Sequence, residues 1–455
     1  MPQAYVIGLG KSGNAAARLL KSQGWQVTVS DRGQSDRLQA QAEELRTEGI
    51  EVALGDHFDS QVSQPELVIV SPGVPWDVPS LVKARSIGVV AIGEMELAWR
   101  NLRNQPWLAI TGTNGKTTTT ALTAAIFQAA GLHAPAFGNI GYAACEMALL
   151  DRQPDWCVAE LSSYQIESSP SVAPQIGIWT TFTPDHLVRH KTMPNYYEMK
   201  ARLLARSQWQ IFNGDDPYLR NIGLQQGYPV KANACWTSVQ GRSHLVGNPE
   251  FGIWIESNQV IFQGEAVIAA DALRMPGDHN LQNLLMAVAA AKIAGINNAA
   301  IDQAIRNFPG VEHRLEHIIT WKGIDFINDS KATNYDAAEV GLHAVKAPTL
   351  LIAGGEPKEG DDTAWLSKIK QKAVKVLLIG QAAEPFAQRL AAVGYDAYEM
   401  VHTLDQAIAR SADLAPELGV QVVLFSPACA SFDQYDNFEQ RGDHFRQLCL
   451  QRFGE

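Results

Sequence analysis

The stretch Trp107-Leu108-Ala109-Ile110-Thr111-Gly112-Thr113-Asn114-Gly115-Lys116-Thr117-Thr118 constrains this chain more than any other. An apolar run suited to a buried strand leads into a glycine loop. Behind it Ala121, Leu122, Ala125 and Ile126 recur at helical spacing. A strand, a glycine loop and a helix in that order make a phosphate cradle, because backbone N–H groups turn inward at the positive end of the helix. In such a cradle Lys116 reaches the terminal phosphates and the Thr117 hydroxyl ligates magnesium. The first glycine of the strict motif is replaced by Ile110, so the loop is the shorter Gly112-x-x-Gly115-Lys116-Thr117. The plain alternative is a turn with a solvated lysine; the whole pattern favours ATP.

At 455 residues the chain is expected to form about three domains of roughly 150 residues each. A net charge of −11 argues against general nucleic-acid binding but leaves room for local basic pockets. The five cysteines are scattered, without metal-binding or disulfide spacing, as in reduced thiols of a cytoplasmic protein. No apolar run approaches the ~20 residues of a membrane span. The N-terminus passes almost at once into a strand rather than a charged-then-apolar leader. A cytoplasmic protein with no membrane association is therefore expected.

The first segment, 1–98, opens with Ala4-Tyr5-Val6-Ile7, then Gly8-x-Gly10-x-x-Gly13, a helix, and the strand Val27-Thr28-Val29 ending near Asp31. This is the spacing of a βαβ unit with a nucleotide phosphate at the helix start and an acid near a ribose. Leu67–Val70, followed by Ser71-Pro72-Gly73-Val74-Pro75, places a further loop at a strand end. Polar residues around 101–106 read as a linker. The second segment, 99–308, carries the phosphate loop. Its strand-like runs end at Glu160-Leu161-Ser162-Ser163 and Thr183-Pro184-Asp185-His186. A small β excursion is expected over 235–275, then a helix from Asp278 that shows Asn280 and Asn283 on one face. The third, 309–455, follows Pro309-Gly310 and alternates buried strands with helices, as a doubly wound sheet does. Magnesium wants oxygen ligands, and Thr117 and Glu160 offer them. His186 is either a ligand or a helix-start hydrogen-bonding group. Lys200 lies on a helix expected to begin at Asn195, with Glu198 as its capping-box partner.

Taken in order, Thr111–Thr117, Gly138-Asn139-Ile140-Gly141, Glu160-Leu161-Ser162-Ser163, Asp185-His186 and Asn328-Asp329-Ser330-Lys331-Ala332-Thr333-Asn334 resemble the Mur ligase family over essentially the whole chain. The glycine loop at 8–13, Ser71-Pro72-Gly73, and the runs Ser426–Gln434 and Asn437–Gly442 are similar to the members that add D-glutamate to UDP-N-acetylmuramoyl-L-alanine. The resemblance implies an α/β fold of three domains: Rossmann-like, P-loop and Rossmann-like. It implies an ATP-dependent amide ligase of peptidoglycan precursor synthesis, acting through an acyl phosphate; a cytoplasmic monomer is expected.

The resemblance also implies roles residue by residue. Lys116, Glu160, His186 and Lys200 become catalytic. Two magnesium ions fall to Thr117, Glu160, His186 and a carbamylated Lys200. ATP falls to Gly112, Thr113, Asn114, Gly115, Lys116, Thr117, Thr118, Asn283, Arg314 and Asp329. The uridine nucleotide substrate falls to Ser12, Asp31, Arg32, Gly73, Asn139 and His186, and D-glutamate to Lys331, Thr333, Lys358, Ser431 and Phe438. Ligands drawn from several domains imply closure about a hinge near 306–312. A nicotinamide-dependent dehydrogenase would leave the phosphate loop and the C-terminal half unexplained. A folate polyglutamate ligase would lack the first segment, and an ATP-binding scaffold would not need Glu160, His186 and Lys200 together.

Overall fold

Alternation of short apolar strands with helices produces three sheets, described here over residues 1–56, 58, 65–275, 277–357 and 360–454 of a computed structural model. The chain packs as two units: Met1–Arg274 with Asp278–Phe308, and Met275–Gly277 with Pro309–Glu455. The first unit holds two of the sheets.

The first sheet comprises β1 (Gln3–Ile7), β2 (Gln26–Asp31), β3 (Glu51–Leu54), β4 (Leu67–Val70) and β5 (Val90–Gly93), all parallel, in the order β3-β2-β1-β4-β5. With β2 on one side of β1 and β4 on the other, the loops leaving β1 and β4 part and open a crevice at the strand ends. Helix α1 (Lys11–Ser22) follows β1 and buries Ala15, Ala16, Leu19 and Leu20. Gly13 is obligatory there, since a Cβ would stand 1.8 Å from the Gly8 carbonyl oxygen. Close helix–strand packing thus accounts for the last glycine of the loop.

Helix α2 (Glu94–Leu102) leads to the second sheet and is fastened to it by buried acids. Glu94 accepts from the Cys145 amide at 2.6 Å, and Glu96 accepts from the Ser171 amide at 3.0 Å. The second sheet has nine strands: β6 (Trp107–Thr111), β7 (Ala136–Gly138), β8 (Cys157–Glu160), β9 (Ile176–Trp179), β10 (Trp209–Asn213), β11 (Cys235–Ser238), β12 (Ile253–Glu256), β13 (Gln259–Phe262) and β14 (Glu265–Ala269). Its order is β14-β13-β12-β11-β10-β9-β6-β8-β7, parallel except for the antiparallel β12-β13-β14 end. That end is the excursion expected over 235–275. Strand β6 is buried along its length between β9 and β8, which explains its unbroken apolar run.

Helix α3 (Lys116–Ala129) follows the phosphate loop, and α5 (Asp278–Ile293) packs against it. Between them in sequence, α4 (Met193–Arg206) starts earlier than its sequence signals. Thr192, not Asn195, is the cap, accepting from the Asn195 amide at 3.3 Å. Glu198 pairs with Arg202 at 3.0 Å instead of closing a capping box. The reason is Pro194, whose fixed φ and missing N–H suit the first helical turn and draw the start upstream.

The second unit holds β15 (Glu316–Trp321), β16 (Ile324–Asn328), β17 (Thr349–Gly354), β18 (Ala373–Ile379), β19 (Tyr398–His402) and β20 (Val422–Phe425), ordered β15-β16-β20-β17-β18-β19. Only β15 is antiparallel to its neighbour. Helix α6 (Tyr335–Ala344) follows β16, and α7 (Phe438–Phe453) packs over β15 and β16. All five cysteines are buried and unbridged. Among the described residues no helix is long and apolar enough to cross a membrane.

Candidate active site

The loop between β6 and α3 is short, and its shape is enforced from the end of β9. Gly112, at φ +151°, leaves no space for a side chain, because a Cβ would stand 1.9 Å from Thr180 Oγ1. Gly115 adopts the left-handed conformation at φ +83° and faces Asn283 Oδ1 of α5. The Thr113 amide donates to the Thr181 carbonyl at 2.9 Å and the Asn114 amide to Thr181 Oγ1 at 2.8 Å. Thr180 Oγ1 donates to the Asn114 carbonyl at 2.5 Å. These contacts fix the path of the shortened loop. Neither Thr180 nor Thr181 was singled out by the motif, although both directly precede the polar cluster at 183–186.

Lys116 Nζ donates to the Thr113 carbonyl at 2.8 Å, and Thr117 and Thr118 are buried in the first turn of α3. That turn supplies the unsatisfied N–H groups and partial positive charge of a helix start. Asn283 Oδ1 accepts from Thr119 Oγ1 at 3.2 Å, which brings α5 to the loop. Gly112 through Thr118 and Asn283 therefore converge.

A cavity opens beside this loop, lined among others by Gly73, Gly112, Lys116, Asn139, His186 and Lys200. Glu160, at the end of β8, is fully buried next to Asn139. The Asn139 side chain donates to Oε1 at 2.8 Å and its amide to the Glu160 carbonyl at 2.9 Å. Glu160 Oε2 is buried without a hydrogen-bond partner, and so is Thr118 Oγ1. Lys200 is 1% exposed; its Nζ donates to the Gly112 carbonyl at 2.8 Å and lies 4.8 Å from the centre of the Tyr196 ring. Burial pushes this amine well below the ordinary lysine range, and the charge of Lys116 pushes it further. His186 sits at the start of a single helical turn at φ +55° but makes no capping bond with its side chain. Its ring meets the Tyr164 hydroxyl at 3.1 Å and Asp185 at 3.3 Å.

Among the described residues no cluster of three or more His, Cys, Asp or Glu could form a metal cage. Magnesium ordinarily takes one or two carboxylates and completes its shell with water and substrate phosphate. One buried carboxylate with an unpartnered oxygen, a buried threonine hydroxyl in the first turn of α3 and a buried amine fit that habit.

The crevice of the first sheet forms a second cavity, of about 220 Å³, lined by Gly8, Asp31, Arg32, Gly73 and Pro75 among others. Asp31 takes the Leu9 amide on Oδ2 and the Gly33 amide on Oδ1, each at 2.8 Å. It thereby ties the glycine loop to the end of β2. Ser12 is half-buried in the first turn of α1, outside the residues lining this cavity. Gly73 lines both cavities, so the two open onto the same loop.

In the second unit the remaining residues gather where β16 and β20 end. Asp329 is buried; it accepts from Ser426 Oγ at 2.7 Å and from the Leu315 amide at 3.3 Å. Burial raises its carboxyl to about 7 against the opposing Ser426 bond and Arg314 charge. Lys331 Nζ lies 5.1 Å from the centre of the Phe438 ring, and the Thr333 amide donates to the Lys331 carbonyl at 2.9 Å. Ser431 is buried where the turn toward α7 begins. Arg441, absent from the sequence-based assignments, holds this cluster together. Its guanidinium donates to Ser330 Oγ and to the carbonyls of Ser330, Ala430 and Cys429 at 2.8–3.0 Å. Lys358 lies outside the described residues.

Comparison with known proteins accords with this layout. The chain matches the models of the Mur ligase MurD-like N-terminal domain over residues 2–93, the Mur ligase middle domain over 110–291 and the Mur ligase glutamate ligase domain over 313–429. It is 63% identical over 460 residues to the UDP-N-acetylmuramoylalanine--D-glutamate ligase of Trichormus variabilis, with 100% of both chains covered. It is 60% identical to the enzyme of that name from Microcystis aeruginosa, covering 99% of this chain and 100% of the other. Among solved structures, the UDP-N-acetylmuramate-alanine ligase MurC of Thermotoga maritima shares the fold at TM-score 0.62 and 20% identity, covering 99% of each chain.

Proposed function

The chain belongs to the Mur ligase family, and from that premise we propose that it joins D-glutamate to UDP-N-acetylmuramoyl-L-alanine at the expense of ATP, in peptidoglycan precursor synthesis. The observation that carries this reading to the site is the cavity in which Gly73, from the first sheet, stands with Gly112, Lys116, Asn139, His186 and Lys200.

The substrate carboxylate attacks the γ-phosphorus of ATP, giving an acyl phosphate and ADP. The amine of D-glutamate then adds to the acyl carbon, and phosphate leaves from the tetrahedral intermediate. Both reactants of the first step are anions, so cationic and N–H groups must bring them together. Lys116 and the first turn of α3 do this for the phosphates, with Gly112 through Thr118, Asn283, Arg314 and Asp329 as the ATP set. Thr117, Glu160, His186 and Lys200 would hold magnesium, which when bound neutralises phosphate charge. Lys200 has the property carbamylation requires. Its buried amine is shifted toward the neutral form, which can add to carbon dioxide with loss of a proton.

Ser12, Asp31, Arg32, Gly73, Asn139 and His186 take the uridine nucleotide substrate, with Asp31 shaping the loop through its two backbone contacts. Lys331, Thr333, Lys358, Ser431 and Phe438 take D-glutamate, whose carboxylates call for cations and hydroxyls. Functional segments are drawn at 1–98, 99–308 and 309–455, and the protein works as a cytoplasmic monomer. The test is phosphate release from ATP with UDP-N-acetylmuramoyl-L-alanine, adding D-glutamate, L-glutamate, L-lysine or diaminopimelate separately. Release with D-glutamate alone, with a new amide product, is expected. Release driven by another amino acid would overturn the substrate assignment, and no release at all would overturn the activity.

A further inference from the structure

Lys11 occupies the first position of α1, the end of a helix where the macrodipole disfavours a cation. Its side chain is held elsewhere: Nζ donates to the carbonyl of Gly141, in the second sheet's territory. Gly141 belongs to a turn closed by one backbone hydrogen bond. The Gly138 amide donates to the Tyr142 carbonyl at 2.8 Å. Gly141 is in the left-handed region at φ +62°, where a Cβ would stand 2.6 Å from the Ala136 carbonyl oxygen. Inside this turn is Asn139, which grips Glu160 through both its amide and its side chain. The helical turn that follows, Ala144–Ala148, packs on α1. Contacts therefore run unbroken from the glycine loop of the first sheet to the buried carboxylate of the second.

We propose that Lys11 is a positioning residue for phosphoryl transfer: its bond to Gly141 sets the Gly138–Tyr142 turn, and through Asn139 the Glu160 carboxylate. The proposal rests on the ligase reading above. It gives the glycine loop a task beyond holding the uridine nucleotide, namely fixing the acid beside the phosphate loop.

Two variants test it. Lys11→Met keeps the length of the stem and removes the donors; Lys11→Arg restores them. In the protein without substrates, Lys11→Met should speed hydrogen exchange at the Asn139 amide by about tenfold, the loss of one charge-assisted bond, while amides of β1 and α1 keep their wild-type rates. With substrates saturating, kcat should fall by roughly three- to tenfold with little change in KM for UDP-N-acetylmuramoyl-L-alanine, and Lys11→Arg should recover most of both effects. Unaltered exchange in the turn would overturn the proposal. So would a rise in KM with kcat retained, the mark of a lysine that simply touches the substrate's diphosphate. A wild-type protein that released no phosphate would overturn the ligase reading and with it the catalytic half of the proposal, whereas the exchange comparison needs no turnover.

Discussion

Replacing Lys200 by methionine should remove activity and, at the same time, flatten the dependence of stability on pH. The amine is 1% exposed, and burial together with Lys116 holds its pKa well below the ordinary value in the folded state. In the unfolded chain it returns to the usual lysine value of about 10.4. Between these two values the unfolded state binds the additional proton, so stability must rise with pH across that window. The slope approaches about 1.4 kcal/mol per pH unit where the folded amine is neutral and the unfolded one charged. Methionine fills similar space without the ionisation. It also forfeits the hydrogen bond to the Gly112 carbonyl, at a cost of about 1–3 kcal/mol that does not vary with pH. The informative quantity is therefore the difference in slope between the two proteins, in which all other titrating groups cancel. Urea unfolding followed by tryptophan fluorescence, in bicarbonate-free buffer from pH 7 to 9.5, would measure it. Wild type should gain stability on Lys200→Met as pH rises. Parallel curves would refute the claim that burial has neutralised this amine.

Asn139→Ala should leave Glu160 buried without its side-chain partner. Loss of a hydrogen bond to a charged group, about 1.5–3 kcal/mol, corresponds to a fall in kcat of roughly 10- to 150-fold in phosphate release at saturating substrates. Gly112→Ala forces a Cβ against Thr180 Oγ1; it should abolish ATP binding by calorimetry and cost about 1–3 kcal/mol in unfolding. Arg441→Ala strands the carbonyls of Ser330, Ala430 and Cys429. It should destabilise the second unit by more than about 4 kcal/mol and raise KM for D-glutamate, and Arg441→Lys should rescue little because a lysine cannot reproduce the fork of donors.

The three sheets were legible because each strand is a short apolar run bounded by glycine, proline or polar residues, and the helices between them keep their own period. The phosphate loop was legible for a different reason. Its glycines answer to local constraints, left-handed φ at Gly115 and the absence of space at Gly112, and such constraints write themselves into the sequence at the site. What sequence could not carry was contact over distance. Thr180 and Thr181 meet the loop from 66 or more residues away, and Arg441 reaches Ser330 across 111. Nothing about a threonine pair or a lone arginine marks these encounters. Asp31 shows the same limit in reverse. Its position at the end of β2 marked it as a ligand-side residue, and the structure adds that each of its oxygens takes a backbone amide, a use the spacing alone could not reveal. The start of α4 went astray because a weak signal at Asn195 outweighed the stronger local effect of Pro194.

The two buried titratable groups beside the loop also bear on how the site receives a nucleotide. Glu160 and Lys200 are both buried, but among the described residues they form no ion pair with one another. Glu160 is held by the amide of Asn139, and Lys200 by the carbonyl of Gly112. Breaking a buried ion pair costs about 3–5 kcal/mol, which an incoming ligand would have to offset. Loosening a hydrogen bond to a neutral partner costs only about 0.5–3 kcal/mol, and a phosphate or a cation returns a stronger charge-assisted bond in its place. Neutral partners thus keep the Glu160 carboxyl and the Lys200 amine in position without committing them to each other. The unpartnered, buried Glu160 Oε2 is an oxygen donor of the kind magnesium takes.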